Sequence, residues 1–128
     1  MIGVVEAPFT WEFWPQAREL LCQSAARLGE TIEEIEEELK GNAVLWVAVT
    51  DSVKFAAVGQ IFKGSKGAEL FIWHGAGDFI GHGCDVMASA EQWCRENGLS
   101  AMEMNGRLGW MRRLKDWRAV SVILRKEL

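Results

Sequence analysis

The sequence predicts one α/β (α+β) domain on a mixed, mainly antiparallel sheet, in the order β-α-α-β-β-β-α-β-α-β. Three observations carry that prediction. Between residues 43 and 74, three apolar runs with strand preference follow one another across short turns, which makes an antiparallel meander. Residues 68–104 then read as strand, glycine-rich turn, long helix and strand, a βαβ-like unit. Finally, 128 residues with 49% apolar and 25% charged side chains have globular composition and are enough for one domain with a real core.

Each element has its own signal. Ile2, Val4 and Val5 suit a short edge strand over residues 1–6, broken by Pro8 to Thr10. Residues 11–28 carry a helical apolar face of Ala17, Leu20, Leu21, Ala25 and Leu28, with Pro15 tolerable only near the first turn and Gly29 at the end. Thr31 followed by Glu34 is a capping box that opens a second helix over 32–40. Ile32, Ile35 and Leu39 form its apolar stripe, Glu33, Glu34, Glu37 and Glu38 face water, and Gly41 and Asn42 stop it. Strands follow at 43–50 and 54–62 around the Asp51-Ser52 turn, and KGSKG at 63–67 turns the chain into a strand at 68–74. Gly75, Gly77, Gly81 and Gly83 interrupt the pattern, and Ile80, Cys84, Met87, Ala90 and Cys94 restore helical spacing. Asn97-Gly98 ends that helix before a strand at 100–104. A loop at 105–109, a short basic helix at 110–117 and a final strand at 119–125 complete the order.

Composition excludes several classes. The longest apolar run, 43–49, is too short to cross a bilayer. No basic segment followed by an apolar stretch opens the chain, so the expectation is a soluble, cytoplasmic protein without membrane partners. Cys22, Cys84 and Cys94 sit in helical patterns and cannot all pair, which favours buried, reduced thiols. His74, His82, Cys84 and Cys94 match no CxxC or HxxxH zinc spacing, so no metal site is expected. The net charge of −4 argues against dedicated nucleic-acid binding, although residues 107–126 carry Arg107, Arg112, Arg113, Lys115, Arg118, Arg125 and Lys126 against Asp116 alone. Trp11, Phe13 and Trp14 fill core, line a substrate wall or form a homodimer patch. The chain has seven Trp and no Tyr.

The glycine turn is the main chemical signal. Gly81 and Gly83 flank one residue at a helix start, where backbone N–H groups and the positive end of the helix dipole form a physical anion site. A bulky residue at Gly83 is expected to block such an anion and leave the fold intact. The same glycines also suit a plain chain reversal.

Order and motif together resemble the GCN5-related N-acetyltransferase (GNAT) superfamily. Its signature is Arg or Gln, two residues, Gly, one residue, then Gly or Ala, at the start of the long helix after the fourth strand. Asp78, Gly81 and Gly83 occupy those places, EQWCRENGLSAMEM resembles the helix end and fifth strand, and RRLKDWRAVSVIL resembles the closing helix and strand. The resemblance implies a sheet with helices on both faces and acetyl-CoA as acyl donor to an unidentified amine, either small molecule or protein. It implies that the cofactor diphosphate rests on the N–H groups of Gly81, His82 and Gly83. Ile72 and Trp73 then lie beside the pantetheine arm where the strands splay, Asn105 contacts the cofactor, and Arg107 and Arg112 meet the ribose phosphate. His74 is a candidate general base for the amine, its unperturbed pKa lying near neutrality, or else a strand-end histidine bonded to backbone. Glu103 and Glu69 are alternative bases. The chain departs from the pattern in two places: Asp78 puts negative charge where the family has Arg or Gln, and Leu114 stands near the position of a Tyr that many members use as general acid. Two like charges a few ångströms apart cost about 1–4 kcal/mol at effective dielectrics of about 80 to 20. The alternative function is therefore a non-catalytic GNAT-fold protein, a partner-binding or virion component like the degenerate phage-borne versions of this fold.

Overall fold

The computed structural model describes residues 1–105, 112–120 and 124–128. Among the described residues its sheet has five strands in chain order: β1 (Ile2–Val5), β2 (Ala43–Val49), β3 (Val53–Gly64), β4 (Gly67–Gly77) and β5 (Ala101–Met104). β1 to β4 pair antiparallel, and β5 pairs parallel to β4 after a helical crossover, so the sheet is mixed as the sequence predicts.

Helices cover both faces. α1 (Trp14–Leu28) and α2 (Ile32–Leu39) bury Ala17, Leu21, Ala25 and Ile35 against Leu45, Val47 and Val58. α3 (Cys84–Glu96) buries Val86, Met87, Ala90 and Cys94 against Trp46, Phe55, Leu70 and Ile72 on the other side. β2 and β3 supply residues to both clusters, which is why these strands read as near-continuous apolar runs.

Several element limits differ from the pattern. α1 starts at Trp14 with Pro15 in its first turn, where a missing N–H costs nothing, and a 3-10 turn at Pro8–Thr10 precedes it. Leu28 is 53% exposed and leaves the predicted face, because the helix ends there. Gly75 and Gly77 belong to β4, which continues pairing with β3 beyond residue 74. Ile80 is 71% exposed, and Phe79 takes the buried place instead. Of the three cysteines only Cys94 is buried, and burial pushes its thiol pKa up; Cys22 and Cys84 are half-buried. Trp14 is core, with Trp11 and Phe13 packed at its margin. Of the predicted helix at 110–117 and strand at 119–125, residues 110, 111 and 121–123 lie outside the described residues, and the described remainder holds only short turns and chain without regular structure.

The α2 cap is present as predicted. Glu34 N–H donates to Thr31 Oγ1 at 3.3 Å. Thr31→Ala is therefore expected to lower the unfolding free energy by about 1 kcal/mol, and Thr31→Ser by much less, in urea titrations.

Candidate active site

The site begins where the sheet opens. β5 pairs with β4 only from Glu69↔Ala101 to Ile72↔Met104. Among the described residues β4 then runs on to Gly77 with β3 as its strand partner, Arg27 donating to the Gly75 carbonyl at 2.9 Å, and a gap opens beyond Met104. A cavity of about 230 Å³ occupies this gap, walled by Ser24, Ile72, Trp73, His74, Met104 and Asn105. A larger cleft of about 680 Å³ adjoins it and shares Arg27, Phe55 and Gly75; Asp78, Arg112 and Arg113 are among its other lining residues.

A bulge sets which side chains reach this gap. Val58 pairs with His74 and Gly59 with Ile72, leaving Trp73 as the extra residue of β4. Strict alternation would put Ile72 and His74 on the same face. With the bulge, Ile72 packs on the α3 side and His74 turns to α1.

His74 is 1% exposed and belongs to a polar chain. Its Nδ1 lies 2.7 Å from Ser24 Oγ, a side chain only 2% exposed. Its Nε2 lies 3.2 Å from Glu30 Oε1, within ion-pair range but without the alignment of a hydrogen bond. Glu30 in turn accepts from Trp73 Nε1, at 3.1 Å to each carboxylate oxygen. Burial pushes the His74 pKa down to about 4, helped by the positive charge of Arg27 and opposed by Glu34. With the ring proton on Nε2 toward Glu30, Nδ1 accepts from the Ser24 hydroxyl.

The glycine turn, Phe79–Gly83, is π-type and closed by Asp78. Gly81 N–H donates to Asp78 Oδ1 at 2.9 Å, and the N–H groups of His82 and Gly83 both donate to the Asp78 carbonyl at 3.0 Å. His82 Nδ1 lies 3.3 Å from Asp78 Oδ2, so its ring steadies the same carboxylate. The Gly81 N–H bond holds the Asp78 pKa below the usual carboxylate range, with His82 acting in the same direction. A Cβ on Gly81 would land on Asp78 Oδ2, and one on Gly83 on the Phe79 ring. Both glycines thus accommodate this chain's own atoms.

No family model and no curated protein sequence matches the chain. Solved structures do. An aminoglycoside acetyltransferase from an uncultured soil metagenomic sample, in complex with sisomicin, superposes with a TM-score of 0.70 at 13% identity, over 100% of this chain and 95% of its own. An acetyltransferase of Trypanosoma brucei gives 0.71 at 16% identity, over 100% and 99%. A GNAT family acetyltransferase of Staphylococcus aureus gives 0.65 at 11% identity, over 100% and 98%. This chain has the GNAT fold.

On that GNAT scaffold the expected residues fall into two groups. Ile72, Trp73, His74 and Asn105 gather at the gap, and Asp78 and Arg112 at the larger cleft. Glu103 is exposed and lines neither cavity, and Glu69 pairs at the far end of the β4–β5 ladder. Arg107 lies outside the described residues. Ser24, Arg27 and Glu30 are additions that the sequence reading passed over. Ser24 had a signal: it falls three residues after Leu21 and seven after Ala17, on the buried stripe of α1 where an apolar residue is expected. Glu30 follows the helix end with no local mark of its role.

Proposed function

We propose that this protein transfers an acyl group from an acyl-CoA, acetyl-CoA being the simplest donor, to an amine. The gap beyond Met104 carries this reading: β4 offers a strand edge there without a β5 partner, beside which a thioester arm can lie. Ile72, Trp73 and Asn105 would flank that arm, and Arg112 and Arg113 bring positive charge toward the phosphates. Of the three candidate bases, His74 borders the gap and Glu103 and Glu69 do not, so the proton of the attacking amine falls to His74. The donor supplies an activated carbonyl; the chain's part is to orient it and receive that proton.

The turn fits the donor less well. Asp78 already takes the N–H groups that a diphosphate would use and adds a negative charge. Weak intrinsic affinity follows, and this feature also favours the second reading, a GNAT-fold protein that binds a partner without catalysis. Asp78→Asn retains a carbonyl acceptor for Gly81 N–H and removes the charge, so acetyl-CoA is expected to bind about tenfold more tightly with little loss of stability. Asp78→Arg should tighten it further and cost the cap about 1 kcal/mol. Calorimetric titration of the parent and both variants at fixed salt decides the matter. Absence of binding by all three would reject acyl transfer from coenzyme A.

A further inference from the structure

We propose that Ser24, His74 and Glu30 form a nucleophilic centre that takes short acyl groups from small esters and thioesters onto Ser24 and releases them to water. The activity needs no amine and no grip on coenzyme A, so it is separate from N-acyl transfer.

Three independent elements converge to make this centre. α1 supplies Ser24 from its buried stripe, β4 supplies His74 through the bulge, and the segment after α1 supplies Glu30. Their order is that of a nucleophile, a base and an orienting carboxylate: 2.7 Å from Ser24 Oγ to Nδ1, and 3.2 Å from Nε2 to Glu30 Oε1. Trp73 Nε1 holds both Glu30 oxygens and so fixes the carboxylate opposite the ring. The Nε2 contact is looser than a hydrogen bond, as is common before a substrate arrives. A helix serine that served packing alone would need no imidazole, and a strand histidine that needed only a partner would be satisfied by backbone. Here both side chains also border a cavity.

That cavity defines the substrate class. At about 230 Å³, with Ile72, Met87 and Met104 among its walls, it suits an acetyl or similarly short acyl group. Arg27, whose Nη2 donates to the Gly75 carbonyl at 2.9 Å, shares the wall and adds positive charge beside a developing oxyanion. Ser24 Oγ bonds to the acyl carbon as the ester C–O or thioester C–S bond breaks. The hydroxyl proton passes to His74 Nδ1 and on to the leaving alkoxide or thiolate. Water then attacks acyl-Ser24, gives its proton to the same nitrogen and leaves as the carboxylic acid, restoring the hydroxyl. Glu30 stabilises the imidazolium in both halves and is a positioning residue.

The probe is p-nitrophenyl acetate with the full chain. A burst of nitrophenolate equal in moles to the protein is expected, with one acetyl group mapped by peptide mass to Ser24. Ser24→Ala and His74→Gln should each lower the burst rate at least about 100-fold. Glu30→Gln should lower the acylation rate at saturating ester about tenfold with KM unchanged, a split that a merely structural loss would not give. If Ser24→Ala does not fold, Ser24→Cys keeps the size and should accumulate a thioester at that position. Acetyl found instead on Cys22, a lysine or the amino terminus, or a burst indifferent to His74→Gln, overturns the proposal. Titration with acetyl-CoA in parallel keeps the two ideas apart: binding without acetyl-Ser24 removes this centre and leaves N-acyl transfer standing, and acetyl-Ser24 without binding does the reverse.

Discussion

Gly77→Ala is expected to destabilise the fold by roughly 3–5 kcal/mol, a large share of the roughly 5–15 kcal/mol that holds a domain together. Gly77 has φ of 118°, where an L side chain is strained, and its Cβ would run into the Lys54 carbonyl and Phe55 Cα of β3. Neither atom can move without breaking the strand pair, because Asp78 N–H donates to that same carbonyl at 2.8 Å. Strain and overpacking therefore add. Gly98→Ala is the control: φ is 72°, but no atom lies within 4 Å of its Cβ, so only the conformational cost of about 1 kcal/mol remains. Urea midpoints of the two variants measure the difference, and equal losses would mean that β3 and β4 are not locked at this point. Gly83 shares only the overpacking with Gly77, since its φ is −63°. A bulky residue there meets the Phe79 ring in the core, so it damages the fold as well as any ligand site, contrary to the expectation from the motif alone.

The fold was legible because its main signals are local or periodic. The meander, the crossover helix and the Thr31 cap each follow from residue spacing. The site was legible only in part, for three physical reasons. A bulge moves one residue out of register, and nothing in Trp73 or its neighbours announces that His74 will face α1. The turn donors look available when the glycines alone are considered, yet the residue that occupies them, Asp78, lies at the same motif's first place. Read as a departure from the family pattern, Asp78 signals lost affinity; read as an N-cap, it signals that the turn supplies its own anion. Ser24 and Glu30 meet His74 across about fifty and forty-four residues, a pairing that no local pattern encodes.

Acidification should expose the state of that histidine. Burial lowers the His74 pKa from 6.5 to about 4, so between those values the unfolded chain binds the extra proton and the fold does not. Stability is then greatest above the unfolded pKa and falls as pH drops through this window. In full the loss is about 3 kcal/mol, most of it reached by about pH 4.5. The charged groups around the ring are Glu30 at 3.2 Å, Arg27 and Glu34. Carboxylates that the fold favours ionised, such as Asp51 with its pKa lowered to about 2 by the Thr50 and Lys54 bonds, lose their share at still lower pH. Urea unfolding of the parent and of His74→Gln at about pH 7.5 and about pH 4.5 isolates the histidine. The parent should lose about 2–3 kcal/mol more than the variant over that interval. Equal losses would mean that the imidazole is as easily protonated in the fold as outside it. A parent that gains on the variant as the pH falls would mean that Glu30 outweighs burial and holds an imidazolium. That outcome would also take away the neutral Nδ1 that must accept the Ser24 proton, so one unfolding series constrains both the electrostatics of this core and the chemistry proposed for it.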